Sequence, residues 1–310
     1  MPVYHLLYTG ANATQTRAFM KNEQCMRLLQ WALPQLNMRW PGYRKVRNQV
    51  CKRIDRRLQE LGLKGVEEYR AYLEQHPDEW AQLDSLCRIT ISRFYRDKGV
   101  FTALREEVLP SLARRMSDRG DTTLRIWSAG CGSGEEPYTF AILWDLELQT
   151  HFPKLTIEIV ATDADPNMNR RAHDACYEFG SLKDLPESWR DQAFARTGNA
   201  YRLKPDYKQN VEFLEQDLRY EQPEGPFDLV LCRNLAFTYF EDALQREVLK
   251  RIIGRMHDGA ALVIGVHEKL PEGAEGLLVW FDKQRIYRKT RRDRSVPEFH
   301  ASHRTGITLR

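Results

Sequence analysis

Three glycines separated by single residues stand where an apolar run gives way to a helical pattern. The run, residues 126–129, reads as the end of a buried strand, and Gly130, Gly132 and Gly134 follow it. Glycine lets the chain turn tightly and lets a ligand approach the backbone closely, here at the N-terminus of the next helix. The turn therefore predicts a ligand site, although dinucleotide enzymes also use glycine-rich turns of this kind.

The residue after the turn, Glu135, distinguishes two classes of ligand. In the G-x-G-x-x-G turn of dinucleotide enzymes a glycine stands at this position, and a carboxylate would repel pyrophosphate. S-adenosylmethionine has no phosphate and carries an ammonium and a sulfonium, so Glu135 can pair with its amino-acid end. The alternative is that Glu135 and Glu136 only favour the positive end of the helix dipole. We expect S-adenosylmethionine as the cofactor.

Further acidic residues follow predicted strands. Asp163 ends the run TIEIVATD, the place where a ribose diol is usually held. Asp165 or Asn167 is better suited to capping the next helix. In FLEQDL, Asp217 is expected to accept a hydrogen bond from the adenine amino group while Leu218 packs on the ring.

The apolar pattern divides the chain into a helical part and an α/β part. Residues 23–112 are helical in pattern, with no strand signal. Four short apolar runs, TLRIWSAG, TIEIVATD, FDLVLCRN and GAALVIGV, predict a parallel sheet covered by helices on both faces. We predict an extension over residues 1–22, a basic helical domain over 23–116, a larger α/β domain over 123–289 and a mobile basic tail over 290–310.

One predicted helix is strongly basic and amphipathic. Val46, Val50, Ile54 and Leu58 lie four residues apart on one stripe. The basic residues off this stripe that we propose for substrate docking are Arg44, Arg47, Lys52, Arg53 and Arg56. The alternatives are a solvated face, and nucleic acid, which the nearby acidic residues and the lack of a recognisable binding module disfavour. We expect an acidic or helical protein partner and no nucleic acid.

The composition excludes several classes of protein. Of the 310 residues 42% are hydrophobic and the formal net charge is only +4, which fits a folded globular chain. No stretch approaches the roughly 20 apolar residues of a membrane span, so we expect no membrane insertion. The six cysteines are widely spaced, so we expect reduced thiols, no metal site and a cytoplasmic location. We expect a monomer.

From about Arg39 to Tyr287 the chain resembles the CheR family of chemotaxis-receptor methyltransferases. Four motifs in the family's order carry the resemblance: RITISRFYRD, IWSAGCGSGEEPY, ATDADPNMNRRA and FDLVLCRNLAFTYF. The resemblance implies a small all-helical domain followed by a Rossmann-like class I methyltransferase domain with a mostly parallel sheet. It also implies methyl transfer from S-adenosylmethionine to receptor glutamates, with S-adenosylhomocysteine as the product.

The resemblance also implies roles for individual residues. Arg96 matches an arginine at the family's active site, and Tyr239 is similar to the tyrosine beside the transferred methyl. The turn and the resemblance together predict that the cofactor is bound by Thr90, Ser92, Arg96, Gly130, Gly132, Gly134, Glu135, Asp163, Asp217, Leu218, Arg233 and Asn234.

The chain departs from the family's pattern on the substrate side. Thr90 stands where the family usually has Asn, and CRNLAFTYF is one residue longer than the family's C-R-N-x-x-x-Y-F, which affects the assignment of Tyr239. The segment from Gly265 to Glu268 reads G-V-H-E rather than G-H-S-E. Residues 194–211, where the family has a small β-subdomain, are few, which argues against docking of a receptor's C-terminal peptide.

These features predict a methyltransferase whose acceptor is a protein glutamate carboxylate. Two alternatives stay open at this level. The acceptor could be a small molecule or another protein atom, or the chain could be a sensor that binds S-adenosylmethionine without turnover. The resemblance also leaves open whether the chain serves chemotaxis or is an orphan relative.

Overall fold

A computed structural model of the chain describes residues 22–290. The predicted tail beyond Thr290 and the predicted N-terminal extension, except its last residue, lie outside the described residues. The chain divides into two compact units. The first combines the residues up to Leu36 with Tyr43–Arg88, and the second combines Asn37–Gly42 with the residues from Ile89 onward.

Helices account for the part of the chain before Ile89, as predicted. They are α1 (Asn22–Ala32), α2 (Trp40–Tyr43), α3 (Arg47–Glu60), α4 (Val66–Gln75) and α5 (Glu79–Cys87), with a 3-10 turn at Leu33–Leu36. Helix α3 is the predicted basic helix, and Val50, Ile54 and Leu58 of its apolar stripe are completely buried. The four-residue spacing thus identified the packed face of α3 correctly.

A disulfide joins Cys25 of α1 to Cys51 of α3, with their Cα atoms 5.8 Å apart. The prediction of six reduced thiols is therefore wrong for this pair. The two residues are 26 positions apart in sequence, and nothing in that spacing shows that α1 and α3 bring them together. Thiols remain on the other four cysteines, Cys87, Cys131, Cys176 and Cys232.

The boundary between the units falls at Arg88 and Ile89 rather than between residues 116 and 123. The intervening residues form α6 (Lys98–Ala103), a π-helical turn (Leu104–Val108) and α7 (Leu109–Arg119). Leu112 of α7 lies in the same hydrophobic core as Ile126 of the sheet. Periodicity shows which face of a helix is apolar but not which element covers it, so the packing of this segment against the sheet leaves no signal in the sequence.

The second unit is built on a mostly parallel, seven-stranded sheet with the order β6-β2-β1-β7-β8-β10-β9. The strands of the chain are β1 (Thr123–Ala129), β2 (Thr156–Asp163), β3 (Cys176–Glu178), β4 (Phe194–Thr197), β5 (Ala200–Leu203), β6 (Val211–Glu215), β7 (Phe227–Cys232), β8 (Met256–Ile264), β9 (Leu277–Phe281) and β10 (Ile286–Lys289). The four predicted apolar runs form β1, β2, β7 and β8, which confirms the predicted parallel sheet. Strand β10 runs antiparallel to β8 and β9, and its short half-buried pattern gave no clear signal.

The remaining helices connect these strands. They are α8 (Glu135–Leu143), α9 (Pro166–Asp174), α10 (Phe179–Leu182), α11 (Glu187–Ala193), α12 (Ala236–Tyr239) and α13 (Asp242–Gly254), with a π-helical turn at Trp144–Leu148 and a 3-10 turn at Pro205–Lys208. No helix between residues 22 and 290 is long and apolar enough to cross a bilayer.

A separate three-stranded antiparallel sheet, in the order β3-β5-β4, follows α9. Residues 194–211 are few, as noted from the sequence, yet they supply two strands of this small sheet, and the absence of peptide docking stays a prediction. The third strand comes from further upstream, because Cys176–Glu178 pairs with Ala200–Leu203. The sheet is anchored through Tyr177 and Phe194, whose rings meet Phe94 edge to face.

The disulfide gives a direct test of the first unit. A thiol reagent should titrate four cysteines in unfolded, non-reduced protein and six after reduction. Reduction should lower the free energy of unfolding by about 3 kcal/mol, because the closed loop no longer restricts the unfolded chain. Thermal unfolding of Cys51→Ser should be insensitive to reductant, whereas the control Cys176→Ser should stay sensitive. Six reactive thiols without reduction would contradict the disulfide.

Candidate functional site

The glycine turn lies between the end of β1 and the start of α8 and leaves almost no room for side chains. Its three glycines have positive φ angles, 75° at Gly130, 58° at Gly132 and 89° at Gly134, a region that residues with a Cβ adopt rarely. A Cβ on Gly132 would lie 3.1 Å from Thr90 Cγ2 and 3.4 Å from Ser92 Cβ. The structure therefore brings Thr90 and Ser92 beside the turn.

Asp163, the last residue of β2, is tied directly to this turn. Its carboxylate accepts hydrogen bonds from the backbone N–H of Gly132 at 2.8 Å and of Asp165 at 2.9 Å. Asp165 in turn accepts from the N–H of Asn167 and caps α9, as the sequence suggested. The two acidic residues thus have different roles, and Asp163 stands at the carboxyl edge of the sheet where ribose diols bind.

Glu135 is a buried carboxylate without a cationic partner. Its side chain lies at the first position of α8 and is 3% exposed. Its oxygens accept hydrogen bonds from the hydroxyls of Ser133, at 3.0–3.1 Å, and Ser181, at 2.9 Å. Within residues 22–290, no Lys, Arg or His forms an ion pair with it. Burying a carboxylate is costly unless a cation or several donors compensate it, so the site fits a ligand ammonium.

The neighbouring Glu136, unlike Glu135, forms an ion pair with a cationic residue of the protein. Its Oε2 lies 2.8 Å from the guanidinium of Arg233, and its Oε1 accepts from the Ser128 hydroxyl. Arg233 also pairs with Asp97 at 2.6 Å and donates to the backbone oxygen of Arg96. The guanidinium, whose side chain is only 3% exposed, is therefore engaged by protein groups. The structure gives Arg233 a supporting role, and its contact with the cofactor stays a prediction.

Asp217 and Leu218 follow β6, at the same edge of the sheet. Asp217 accepts from the backbone N–H of Arg219 at 2.9 Å and from its guanidinium at 2.6 Å. Leu218 is 5% exposed. The carboxylate is thus held in place by its own loop, and its hydrogen bond to adenine stays a prediction.

A buried glutamate that the sequence analysis did not select holds the loop after β7. Glu268 accepts from the N–H of Asn234 at 2.9 Å, the N–H of Gly265 at 2.6 Å and the hydroxyl of Thr238 at 2.6 Å. Burial raises the pKa of Glu268, and these three donors oppose the rise. The sequence contained one signal for this residue, because G-V-H-E keeps the glutamate of the family's G-H-S-E. Asn234, with φ at 57°, depends on it for its position.

Tyr239 and Arg96 lie close enough to interact electrostatically. Tyr239 is the last residue of α12 and is 9% exposed. Burial raises the pKa of its hydroxyl, while the positive charge of Arg96 lowers it. Arg96 is half-buried and donates to the backbone oxygen of Ile91. The charge of Arg96 therefore acts on Tyr239, and their place at the reacting centre stays a prediction.

The five basic residues proposed for docking separate into two groups. Arg47 donates to Asn22 and to the backbone oxygen of Arg44, and Arg53 donates to the backbone oxygens of Leu86 and Arg88 at the end of α5. These two stabilise the first unit. The side chains that remain exposed for a partner are those of Arg44, Lys52 and Arg56.

Comparison with known proteins agrees with this geometry. The family described as "CheR methyltransferase, SAM binding domain" matches residues 90–284, and "CheR methyltransferase, all-alpha domain" matches residues 45–83. A "Chemotaxis protein methyltransferase" of Listeria monocytogenes is 33% identical over 192 residues, which are 62% of this chain and 70% of the relative. The protein of that name from Escherichia coli is 30% identical over 231 residues, 72% of this chain and 76% of the relative.

A third relative is much longer. It is a 104.1 kDa protein of Rhodobacter capsulatus that is 31% identical over 247 residues, which are 78% of this chain. The chain spans only 25% of that relative's length.

Across the described residues, no group of three His, Cys, Asp or Glu side chains is arranged to hold a metal ion.

The unpaired carboxylate of Glu135 can be tested by binding alone. Glu135→Gln keeps the hydrogen bonds from Ser133 and Ser181 but removes the charge, so the affinity for S-adenosylmethionine should fall by at least about 100-fold. Isothermal titration calorimetry measures this loss. The control Glu158→Gln removes a partly exposed carboxylate that pairs with Arg125 and should bind as the wild type does. Equal affinity of both variants would show that Glu135 does not bind the ammonium.

Proposed function

The chain belongs to the CheR family of S-adenosylmethionine-dependent methyltransferases, and we propose that it methylates glutamate side-chain carboxylates of a protein. The observation that supports S-adenosylmethionine as the methyl donor is the buried carboxylate of Glu135, which lies beside the glycine turn without a cationic partner among the described residues. Support for the acceptor comes from relatives of about 30% identity that are named chemotaxis protein methyltransferase.

The cofactor would lie along the carboxyl edge of the sheet. Glu135 would pair with its ammonium, Asp163 would accept from the ribose hydroxyls, and Asp217 with Leu218 would hold the adenine. Thr90 and Ser92, beside Gly132, would cover the turn. When bound, S-adenosylmethionine supplies an electrophilic methyl group, and S-adenosylhomocysteine is the product.

The acceptor needs alignment rather than activation. A glutamate with a pKa near 4.3 is already ionised at pH 7, so no general base is required. Arg96 would orient the incoming carboxylate through charge-assisted hydrogen bonds. Tyr239 would shape the pocket around the sulfonium, since an aromatic face attracts cations. Holding the reacting groups in line can contribute about 7 to 11 kcal/mol to lowering the barrier.

The protein partner would be acidic or helical and would dock on the basic surface at helix α3. Lys52 and Arg56 of α3 are exposed, as is Arg44 in the turn before it, and complementary charge raises the rate of association and selects the partner. We propose that the enzyme acts as a monomer in the cytoplasm. The Cys25–Cys51 disulfide is unusual for that compartment, so the thiol titration also bears on the location.

A second function within the same site uses a different acceptor. The loop between Asn234 and Tyr239 holds four residues where the family has three, which alters the substrate side while the cofactor side keeps its pattern. This difference favours a small molecule or another protein atom as the alternative acceptor. A sensor that binds the cofactor without turnover is the third possibility.

The decisive experiment labels the methyl group. Purified protein is incubated with methyl-labelled S-adenosylmethionine and an extract of the source cells, and the labelled proteins are treated with mild base. Methyl esters should release volatile labelled methanol, because esters are base-labile and methylated amines are not. The variant Asp163→Ala, which should lose the cofactor, is the control for background label. Base-stable label would contradict carboxyl methylation, and binding without any transfer would favour the small-molecule or sensor alternatives.

Reversing the charge of α3 tests the docking surface. The double variant Lys52→Glu with Arg56→Glu should lower kcat/KM on the labelled protein at least about tenfold, mainly by slowing association, with the largest effect at low salt. Its affinity for S-adenosylmethionine should be unchanged. Lys64→Glu, an equally exposed change outside α3, should have little effect. Equal losses in the control and the double variant would indicate a general charge effect instead of docking on α3.

A further inference from the structure

Helix α12, which carries Tyr239, is too short to hold its own conformation. It contains only Ala236–Tyr239, and a single helical turn is unstable in isolation. The last carbonyl groups of a helix have no partner within it. The position of the Tyr239 ring therefore depends on what the rest of the chain supplies to the carbonyls of this turn.

One residue from the N-terminal third supplies donors to three of these carbonyls. The backbone N–H of Arg39 donates to the oxygen of Tyr239 at 2.8 Å. Its guanidinium donates through Nε to the oxygen of Thr238 at 3.2 Å and through Nη2 to the oxygen of Phe237 at 2.6 Å. The remaining donor, Nη1, lies 3.0 Å from Asp242. The planar, forked guanidinium is suited to such a set of acceptors.

The residues around Arg39 form a strap against the same turn. We use "strap" for Asn37–Gly42, which belongs to the second unit although it is flanked on both sides by the first. The N–H of Glu241 donates to the oxygen of Asn37 at 3.0 Å, and Met38 forms a bridge with Phe240.

Gly42 closes the strap against the turn that carries Tyr239. A Cβ added to Gly42 would lie 2.3 Å from the oxygen of Thr238 and 3.1 Å from the Tyr239 ring. The strap thus packs directly on the turn that presents Tyr239, and only glycine fits at this point.

We propose that Arg39 is a positioning residue for Tyr239, fixing the ring by donating to the three carbonyls of α12. The expected effect of Arg39 on catalysis rests on the proposed function. Glu268 holds the start of the same loop through the N–H of Asn234 and also accepts from the Thr238 hydroxyl in α12, so removing the guanidinium should loosen α12 without unfolding the unit. The cofactor residues Glu135 and Asp163 lie on other elements and should be unaffected.

The test compares Arg39→Ala with Asp242→Ala. Arg39→Ala should lower kcat about 10- to 100-fold, as expected for a misplaced group at the reacting centre, while S-adenosylhomocysteine binds within about threefold of the wild-type affinity. Asp242→Ala removes only the exposed partner of Nη1 and should leave kcat unchanged. Added guanidinium ion should restore part of the activity of Arg39→Ala, and Arg39→Lys, which keeps the charge but not the fork, should be intermediate.

A second readout does not depend on methyl transfer. Backbone amides of residues 236–241 should exchange hydrogen at least about tenfold faster in Arg39→Ala, with unchanged exchange in β1 and β2. Combining Arg39→Ala with Tyr239→Ala should lower activity no further than Tyr239→Ala alone, because residues that act as a unit are not additive. Unchanged exchange over residues 236–241, or an unchanged kcat, would overturn the proposal. If the wild type transfers no methyl to carboxylates, the proposed function fails, while the exchange result still decides the role of Arg39.

Discussion

The site depends on which of two adjacent glutamates receives a cation from the protein. Glu135 and Glu136 begin the same helix, but the guanidinium of Arg233 goes to Glu136, and Glu135 is left with two hydroxyls. A buried carboxylate without a cation raises the free energy of the folded state, and a bound ammonium relieves that cost. The placement of one arginine therefore leaves Glu135 as the carboxylate that a cationic ligand could pair with.

The same arginine joins elements that are distant in sequence. Arg233 follows β7, yet it contacts Asp97 and the backbone of Arg96 ahead of the sheet. The charge of Arg96 in turn lowers the pKa of Tyr239. The buried charge network of Arg233, Asp97 and Glu136 therefore joins the helix after the glycine turn to the segment ahead of the sheet.

Tyr239 is positioned by contacts from both ends of the chain's described part. Glu268, after β8, accepts a hydrogen bond from Thr238, the residue before Tyr239. Arg39, ahead of α3, donates to the carbonyls of α12. The position of Tyr239 is therefore set by these partners and not by the four residues of α12 alone.

Features that leave a local pattern could be predicted from the amino-acid sequence. The glycine turn, Asp163 at the end of β2, the cap at Asp165 and the buried stripe of α3 all follow from backbone conformation or burial within a few residues. Four other features depend on tertiary contacts. They are the disulfide between Cys25 and Cys51, the packing of α7 against the sheet, the pairing of β3 with β5 and the hydrogen bonds from Arg39 to α12. Each of these features joins groups that are distant in sequence and that only folding brings together. Periodicity indicates that a face is buried, but it does not indicate which element covers that face.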